Sequence, residues 1–156
     1  MPRSGANLAL LMLGGFRSLV DAATVELAAR GYQDVRPVHD FALRAIAGGA
    51  DSASELGRQM SVTKQAAART VATLEERGYV GREVDPADAR RMRLQVTDQG
   101  FAVLRTGEAV FDELRAQWQQ QIGPEKLAEL ESLLTELVGE QPVRLDTPGW
   151  FARDQA

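Results

Sequence analysis

Apolar residues recur at helical spacing from the start of the chain. Between Asn7 and Arg30 they form a broad stripe, and Gly31 follows as a typical glycine beyond a helix C-terminus. The positions of the stripe are Leu8, Leu11, Met12, Phe16, Leu19, Val20, Ala23 and Leu27. A helix of this length extends roughly 35 Å, and its wide apolar face favours packing against a partner subunit. The adjacent Gly14 and Gly15 are expected to weaken or bend the helix, or to permit close contact with another helix.

Three further helical patterns follow in close succession. Pro37 begins the first, because a residue in the first helical turn needs no N–H donor. Its apolar positions share one face and are Val38, Phe41, Ala42, Ala45 and Ile46. The sequence S-A-S-E at 52–55 is a capping box and predicts a helix over 53–60. Thr63 is a good N-cap for the next helix, over 64–77. Two helices separated by a short turn predict a helix-turn-helix.

Alternating apolar and polar residues after this helix pair predict two β-strands. Residues 79–84 form the first strand, and D-P-A-D at 85–88 is typical of a turn. In the second strand apolar and polar side chains alternate, with Met92, Leu94 and Val96 set between Arg91, Arg93 and Gln95. Two strands around a charged loop, directly after the helix pair, predict a β-hairpin wing.

Helical patterns return after the hairpin. Thr97 is a good N-cap for a long helix over 98–121, and the glycine-proline pair at 123–124 separates it from a last, leucine-rich helix. Periodicity leaves open whether those leucines pack within or between subunits. The irregular tail, 142–156, carries the aromatic pair Trp150-Phe151, for which packing is favoured over partner recognition.

Composition excludes several kinds of chemistry. The chain has no cysteine, which removes disulfides, thiolate metal sites and thiol nucleophiles. Its one histidine, His39, stands beside Asp40 and supports neither a multi-histidine metal site nor a catalytic triad away from its own neighbourhood. A hydrogen-bonded, partly buried histidine is the favoured reading of His39. We therefore expect no catalytic residue, no metal and no cofactor.

The net charge of −4 excludes a uniformly basic surface, but the charges are segregated. The stretch 58–93 contains eight cations and five anions, whereas 101–141 contains three cations and eight anions. A basic stretch over the helix pair and hairpin, with an acidic stretch elsewhere, is expected of a protein that neutralises a phosphate backbone with one part of its surface.

Four segments of the chain resemble the MarR family of multiple-antibiotic-resistance regulators. They are S-E-L-G-R-Q-M-S-V-T-K-Q-A at 54–66, L-E-E-R-G-Y-V at 74–80, D-P-A-D-A-R at 85–90 and L-Q-V-T-D-Q-G at 94–100. The resemblance implies a mainly α fold with a small β-hairpin, a winged helix-turn-helix flanked by N- and C-terminal dimerisation helices. Residues 35–97 would form the DNA-binding lobe, and 7–31 with 98–141 the dimerisation region of one continuous domain. It implies a homodimeric, cytoplasmic transcription regulator, and specifically a ligand-responsive repressor of a pseudo-palindromic operator.

The helix over 64–77 has the side chains that a recognition helix needs. Small residues at its N-terminal end allow it to enter a major groove. Gln65 and Arg69 can bond adenine and guanine edges, whereas Lys64 suits a phosphate. The expected DNA contacts of the helix-turn-helix are Ser61, Thr63, Lys64, Gln65, Ala68 and Arg69.

The resemblance places the wing tip along the minor groove. The arginine of the family's D-x-R motif matches Arg90, and its aspartate matches Asp88, which is expected to orient an arginine through a charge-assisted bond. Ala89 stands where the family often has a second arginine, a role that Arg91 could take. Arg91 and Arg93 complete the expected DNA contacts. An ordinary solvated, cationic strand edge is the alternative for these arginines.

Effector binding is a further implication of the resemblance. Small aromatic or anionic effectors of the family bind between the dimerisation helices and the DNA-binding lobe. The residues on elements that could line such a cleft are Phe16, Arg17, Val20, His39 and Phe111.

Two rival functions and one rival location stay open at this point. A winged helix could serve as a protein-interaction module without a DNA target, and a small helical enzyme would need an acid and a base that the chain scarcely offers. The apolar run over 6–16 imitates a short signal-peptide core, but its helical pattern continues beyond it and no cleavage site is evident. A cytoplasmic protein without a membrane partner is therefore expected.

Overall fold

A computed structural model describes residues 4–139 of the chain. The described residues form six helices and one two-stranded hairpin, in an order that confirms the mainly α, winged-helix expectation. The elements are α1 (Gly5–Ala29), α2 (Pro37–Ala47), α3 (Ala53–Met60), α4 (Lys64–Glu76), β1 (Val80–Asp85), β2 (Asp88–Val96), α5 (Asp98–Ile122) and α6 (Pro124–Val138). The tail with Trp150-Phe151 lies outside the described residues.

These elements divide into two compact units. The first, here the helical unit, comprises the chain up to Val35 together with Thr106–Gly139 and so holds α1, α6 and most of α5. The second, here the wing unit, comprises Arg36–Arg105 and holds α2, α3, α4, the hairpin and the start of α5.

In the helical unit, α1 runs unbroken through its glycine pair. A Cβ on Gly15 would lie 3.7 Å from Cη2 of Trp118 on α5, whereas one on Gly14 would meet nothing within 4 Å. Of the three expected effects of the pair, close approach of a second helix is therefore the one observed at Gly15. Two ion pairs add cross-links, from Arg30 of α1 to Glu113 of α5 and from Arg115 of α5 to Glu131 of α6.

Much of the apolar surface of the helical unit is exposed. The large hydrophobic side chains that are more than a third exposed on α1 and α6 are Leu8, Leu10, Leu11, Met12, Phe16, Val25, Leu130, Leu133, Leu137 and Val138. By length and composition α1 could also cross a bilayer, a test that the core helix of a soluble protein and an N-terminal signal sequence pass as well. Side chains this apolar are seldom left in water in such numbers, which makes this surface a candidate interface.

The wing unit has a core of fully buried aliphatic side chains, contributed by four helices. Its largest members are Leu43, Leu56, Val71, Leu74 and Val103. The expected caps of α3 and α4 are confirmed, since the hydroxyls of Ser52 and Thr63 accept from the N–H groups of Glu55 and Ala66. The capping box of α3 is only half formed. The Glu55 carboxylate accepts from Arg58 and from the Gln59 amide instead of reaching back to Ser52.

The hairpin pairs β1 with β2 antiparallel, with Val80 opposite Val96 and Glu83 opposite Arg93. Regular register ends between Val84 and Asp85, where an irregularity brings Asp85 opposite Asp88. β2 therefore begins earlier than the alternation of Met92, Leu94 and Val96 indicates, and the charged residues before Met92 belong to the strand and its tip.

Candidate nucleic-acid interface

The second helix of the helix-turn-helix presents small and polar side chains to solvent. Ala67, Val71 and Leu74 of α4 are at most 1% exposed, so one face of the helix is committed to the core. The opposite face is exposed, and the expected contact residues on it are Lys64, Gln65, Ala68 and Arg69. This division follows from helical periodicity, because three buried positions spaced four and three residues apart leave the intervening ones outward.

The turn before α4 is tight because α3 carries a glycine at the crossing point. A Cβ on Gly57 would lie 3.0 Å from the carbonyl oxygen of Val62, and the N–H of Val62 donates to the carbonyl of Gly57 at 2.9 Å. Ser61 adopts the left-handed region at φ 54° and ends α3, half-buried, whereas Thr63 is exposed. Gly57 and this turn fix the direction of α4 relative to α3.

Cations of the helix-turn-helix and the hairpin differ in whether a carboxylate is paired with them. Arg58, Arg82, Arg91 and Arg93 each form an ion pair with a carboxylate. The side chains of Lys64, Arg69 and Arg90 form none with any of the residues that the structure describes. The hydrogen bond between Glu55 and Arg58 lowers the pKa of Glu55 and raises that of Arg58, so this cation in particular is held by its own carboxylate.

Arg90 lies at the wing tip and its side chain is exposed. The carboxylate of Asp88 accepts from the backbone N–H of Arg90 at 3.0 Å. Asp88 is expected to orient an arginine through a charge-assisted bond, and the bond that the structure places there is this one to the backbone N–H of Arg90. Asp88 thus shapes the tip around Arg90 and leaves its guanidinium unneutralised.

Arg91 and Arg93 are held by carboxylates that sequence reasoning did not assign to the site. Nη2 of Arg91 lies 2.7 Å from Oδ1 of Asp51, in the loop between α2 and α3, and Arg93 pairs with Glu83 across the hairpin. The second pairing is only partly signalled in the sequence, because a regular hairpin centred on 86–87 would bring residue 83 opposite 90, and the irregularity after Val84 shifts the partner to Arg93. The first has none, since Asp51 and Arg91 are far apart in the chain.

The five candidate effector residues lie on both units. Phe16, Arg17 and Val20 of α1 and Phe111 of α5 belong to the helical unit, with Val20 half-buried and the others exposed. His39 belongs to the wing unit and is 8% exposed, and its Nδ1 accepts from the backbone N–H of Arg36 at 3.1 Å. As expected, His39 is a buried, hydrogen-bonded residue, and it serves to begin α2.

The wing unit contains an open cleft of about 350 Å³ beside the hairpin. Apolar side chains of α2, β2 and α5, among them Ile46, Leu94 and Phe101, line it together with the Glu83–Arg93 pair. None of the five candidate effector residues lines this cleft.

The amino-acid sequence of the wing unit resembles that of a known protein family. Residues 35–91 match the model of the MarR family. The match covers α2 to α4 and most of the hairpin, and three of the four resembling segments lie within it.

Solved structures match over most of the chain. Streptococcus pneumoniae FabT in complex with DNA has 18% identity and a TM-score of 0.70, over 86% of this chain and 95% of FabT. A mutant of S. aureus MepR bound to an oligodeoxyribonucleotide has 17% identity and a TM-score of 0.60, over 84% and 95%. Wild-type MarR from E. coli, in its apo form, has 22% identity and a TM-score of 0.65, over 84% and 96%. The resemblance to the MarR family is confirmed, and the fold is the winged helix-turn-helix of its regulators.

Proposed function

We propose that this chain, with its MarR-family helix-turn-helix and wing, is a homodimeric transcription regulator that binds a pseudo-palindromic DNA operator. The observation that carries the proposal is that three exposed cations of the helix-turn-helix and wing form no ion pair with any described residue, namely Lys64, Arg69 and Arg90. Arg58, Arg82, Arg91 and Arg93 are paired with carboxylates within the protein, whereas these three stand on the recognition helix and the wing tip. Cations left without an internal partner at those two places suit phosphates and base edges.

Each exposed residue of α4 has a role in the proposed complex. Arg69 bonds guanine O6 and N7 in the major groove, and Gln65 bonds adenine. Lys64, at the N-terminus of the helix, contacts a phosphate, where the helix dipole adds to its charge. Ser61 and Thr63, in the preceding turn, donate hydrogen bonds from their hydroxyls to the DNA backbone. The small side chain of Ala68 lets the helix approach the bases.

The wing extends the contact to the minor groove. Arg90 enters it, on the tip that Asp88 shapes. A narrow minor groove has an enhanced negative potential, which attracts an arginine without an internal counterion. Arg91 and Arg93 adjoin this contact on β2, where each remains paired with a carboxylate.

The exposed apolar surface of the helical unit supports the homodimer. Ten large hydrophobic side chains of α1 and α6 are more than a third exposed, a surface that a second copy of the chain would cover. Two-fold symmetry would place two recognition helices about one helical turn apart, roughly 34–36 Å, on the operator. Covering of α1 by a second subunit also agrees with a cytoplasmic protein without a membrane partner.

A repressor role and an effector response complete the proposal. A small aromatic or anionic effector would bind at the elements that carry Phe16, Arg17, Val20, His39 and Phe111. Such an effector would favour one separation of the two recognition helices, and its binding would be reciprocally coupled to DNA binding. The proposal assigns no catalytic role to any residue and requires no metal or cofactor.

Duplex selection tests the function directly. From a random pool the protein should enrich duplexes with an inverted repeat, and their affinity should fall steeply with salt, because each phosphate contact releases counterions. A flat, weak salt response without enrichment would favour a protein-interaction module instead. Chemical cross-linking and mass measurement in solution should give a dimer.

A further inference from the structure

We propose that Asp51, Arg91 and Asp85 form an electrostatic clamp that positions the wing for DNA, so that an acidic residue supports the binding of a polyanion. Arg91 acts in it as a positioning residue for Arg90. The inference rests on the proposed DNA binding and assigns Asp51 a role in it.

The clamp joins three segments of the wing unit. The guanidinium of Arg91 donates from Nη2 to Oδ1 of Asp51 at 2.7 Å and from Nη1 to Oδ2 of Asp85 at 3.4 Å. A backbone bond lies beside it, since the N–H of Leu94 donates to the carbonyl oxygen of Asp51 at 2.8 Å. Asp51 therefore holds β2 twice, once through the backbone near the base of the wing and once through its side chain nearer the tip.

The clamp continues into the bonds that shape the tip. The Asp85 side chain is 12% exposed, and its other oxygen accepts from the N–H of Ala87 at 2.9 Å. Asp88 accepts in turn from the N–H of Arg90. Regular register is lost between Val84 and Asp85, so the tip depends on these side-chain bonds more than on the ladder of the hairpin.

Neighbouring arginines of the strand have different surroundings. Arg91 is neutralised by two carboxylates, whereas Arg90 forms no ion pair with any described residue. A direct contact of Arg91 with phosphate would have to compete with both carboxylates. A fixed Arg91 instead limits the orientations available to Arg90, and a pre-positioned side chain loses less conformational entropy on binding.

The sign of the effect separates the clamp from ordinary electrostatics. Removing a carboxylate from a DNA-binding surface raises DNA affinity when charge repulsion alone acts. If Asp51 positions the wing, Asp51→Asn lowers the affinity, although the protein becomes less negative. An exposed ion pair accounts for up to about a fivefold change in an equilibrium constant, and we expect a loss of that size.

The experiment measures the affinity of the full-length chain for its selected duplex at low salt. The variants are Asp51→Asn, Arg90→Ala and their combination, with Glu76→Gln as the matched control. Glu76 is exposed on α4 and forms no ion pair with any described residue, so its neutralisation should leave affinity unchanged or raise it. Asp51→Asn should reduce affinity about fivefold in the wild-type background, and should have no further effect once Arg90 is alanine.

Other outcomes overturn the clamp. An unchanged or higher affinity for Asp51→Asn means that Asp51 acts through charge repulsion or not at all. An equal loss with and without Arg90 means that the substitution weakens the whole unit, which a lower unfolding midpoint would also report. Failure of the proposed function is distinguishable from both results, because the unsubstituted protein would then show no salt-dependent duplex binding.

Discussion

The hydroxyl of Thr97 donates a hydrogen bond to the carbonyl oxygen of Gly78 at 2.6 Å. The hydroxyl oxygen of Thr97 in turn accepts from the backbone N–H of Gly100 at 3.1 Å, and the N–H of Thr97 donates to the carbonyl of Tyr79 at 3.0 Å. One residue thus caps α5 and fastens its first turn to the segment that follows α4. The recognition helix is tied at its C-terminal end to the start of α5.

Replacing this hydroxyl tests how much it stabilises the fold. Thr97→Val keeps the shape and loses the cap and the bond to Gly78, so the free energy of unfolding should fall by about 1–3 kcal/mol. Urea denaturation of Thr97→Val and Thr97→Ser gives the comparison, and the serine should retain most of the stability. Equal midpoints for valine and wild type would show that the hydroxyl contributes nothing.

Gly100 is the position at which a methyl group should be least tolerated. An added Cβ would overlap the carbonyl oxygen of Tyr79 and lie 2.6 Å from Cγ1 of Val96, both parts of the hairpin base. Gly100→Ala should lower the free energy of unfolding by about 1–3 kcal/mol. Gly14→Ala is the control in an open helix position, where alanine should instead add about 0.5–1 kcal/mol. A thermal midpoint for Gly100→Ala at or above that of the wild type would contradict this close approach.

The order and type of the elements follow from local signals. Ser52 and Thr63 cap their helices through their own hydroxyls, and Pro37 begins α2, so each of these starts is encoded within four residues. The buried face of α4 is likewise a matter of spacing, because Ala67, Val71 and Leu74 share one side of the helix.

The pairing of charges is less accessible from the sequence. A count of cations over 58–93 gives a basic surface, but the structure pairs Arg91 with Asp51, forty positions away, and turns Glu55 toward Arg58 and away from its capping position. Long charged side chains reach several alternative partners, and tertiary structure decides among them. Composition could not distinguish Lys64, Arg69 and Arg90 from their neighbours, and only the structure shows that they form no ion pair within residues 4–139.

The ion pair between Arg115 and Glu131 predicts a pH dependence. Its hydrogen bonds lower the pKa of Glu131 below the ordinary value of 4.5. Because the folded-state pKa is the lower one, the pair stabilises the helical unit above the ordinary carboxyl pKa and loses this effect as the pH falls through the lowered value. Titration of the Glu131 carboxyl by NMR should show its pKa rising toward 4.5 in Arg115→Gln.

Arg105→Gln is the control for this titration, because Arg105 is not among the groups that shift the pKa of Glu131. It should leave the Glu131 titration unchanged. A Glu131 pKa that does not respond to Arg115→Gln would show that the pair is not maintained in solution.

Arg69 and Lys64 should differ in the kind of affinity they supply. Arg69→Ala removes a base contact, so it should cost about 1–3 kcal/mol on the selected operator and relax the sequence preference. Lys64→Ala removes a phosphate contact, so it should weaken all duplexes alike and reduce the slope of log affinity against log salt by about 1. Binding titrations of both variants on the operator and on a scrambled duplex give the two readouts. An unchanged operator preference for Arg69→Ala would remove its base-reading role.

The wing tip should respond to the DNA beside the recognition site. Arg90 carries no internal counterion among the described residues, and an A·T-rich minor groove is narrow and strongly negative, so Arg90→Ala should lose more affinity on A·T-rich than on G·C-rich flanks. The comparison uses one operator core with the two kinds of flank, so that the major-groove contacts of α4 stay constant. Arg82→Ala provides the matched control, because Arg82 is already paired with Glu75. Any affinity that this variant loses should be the same on both kinds of flank. Equal losses on both flanks for Arg90→Ala would place its contact on the phosphate backbone and outside the minor groove.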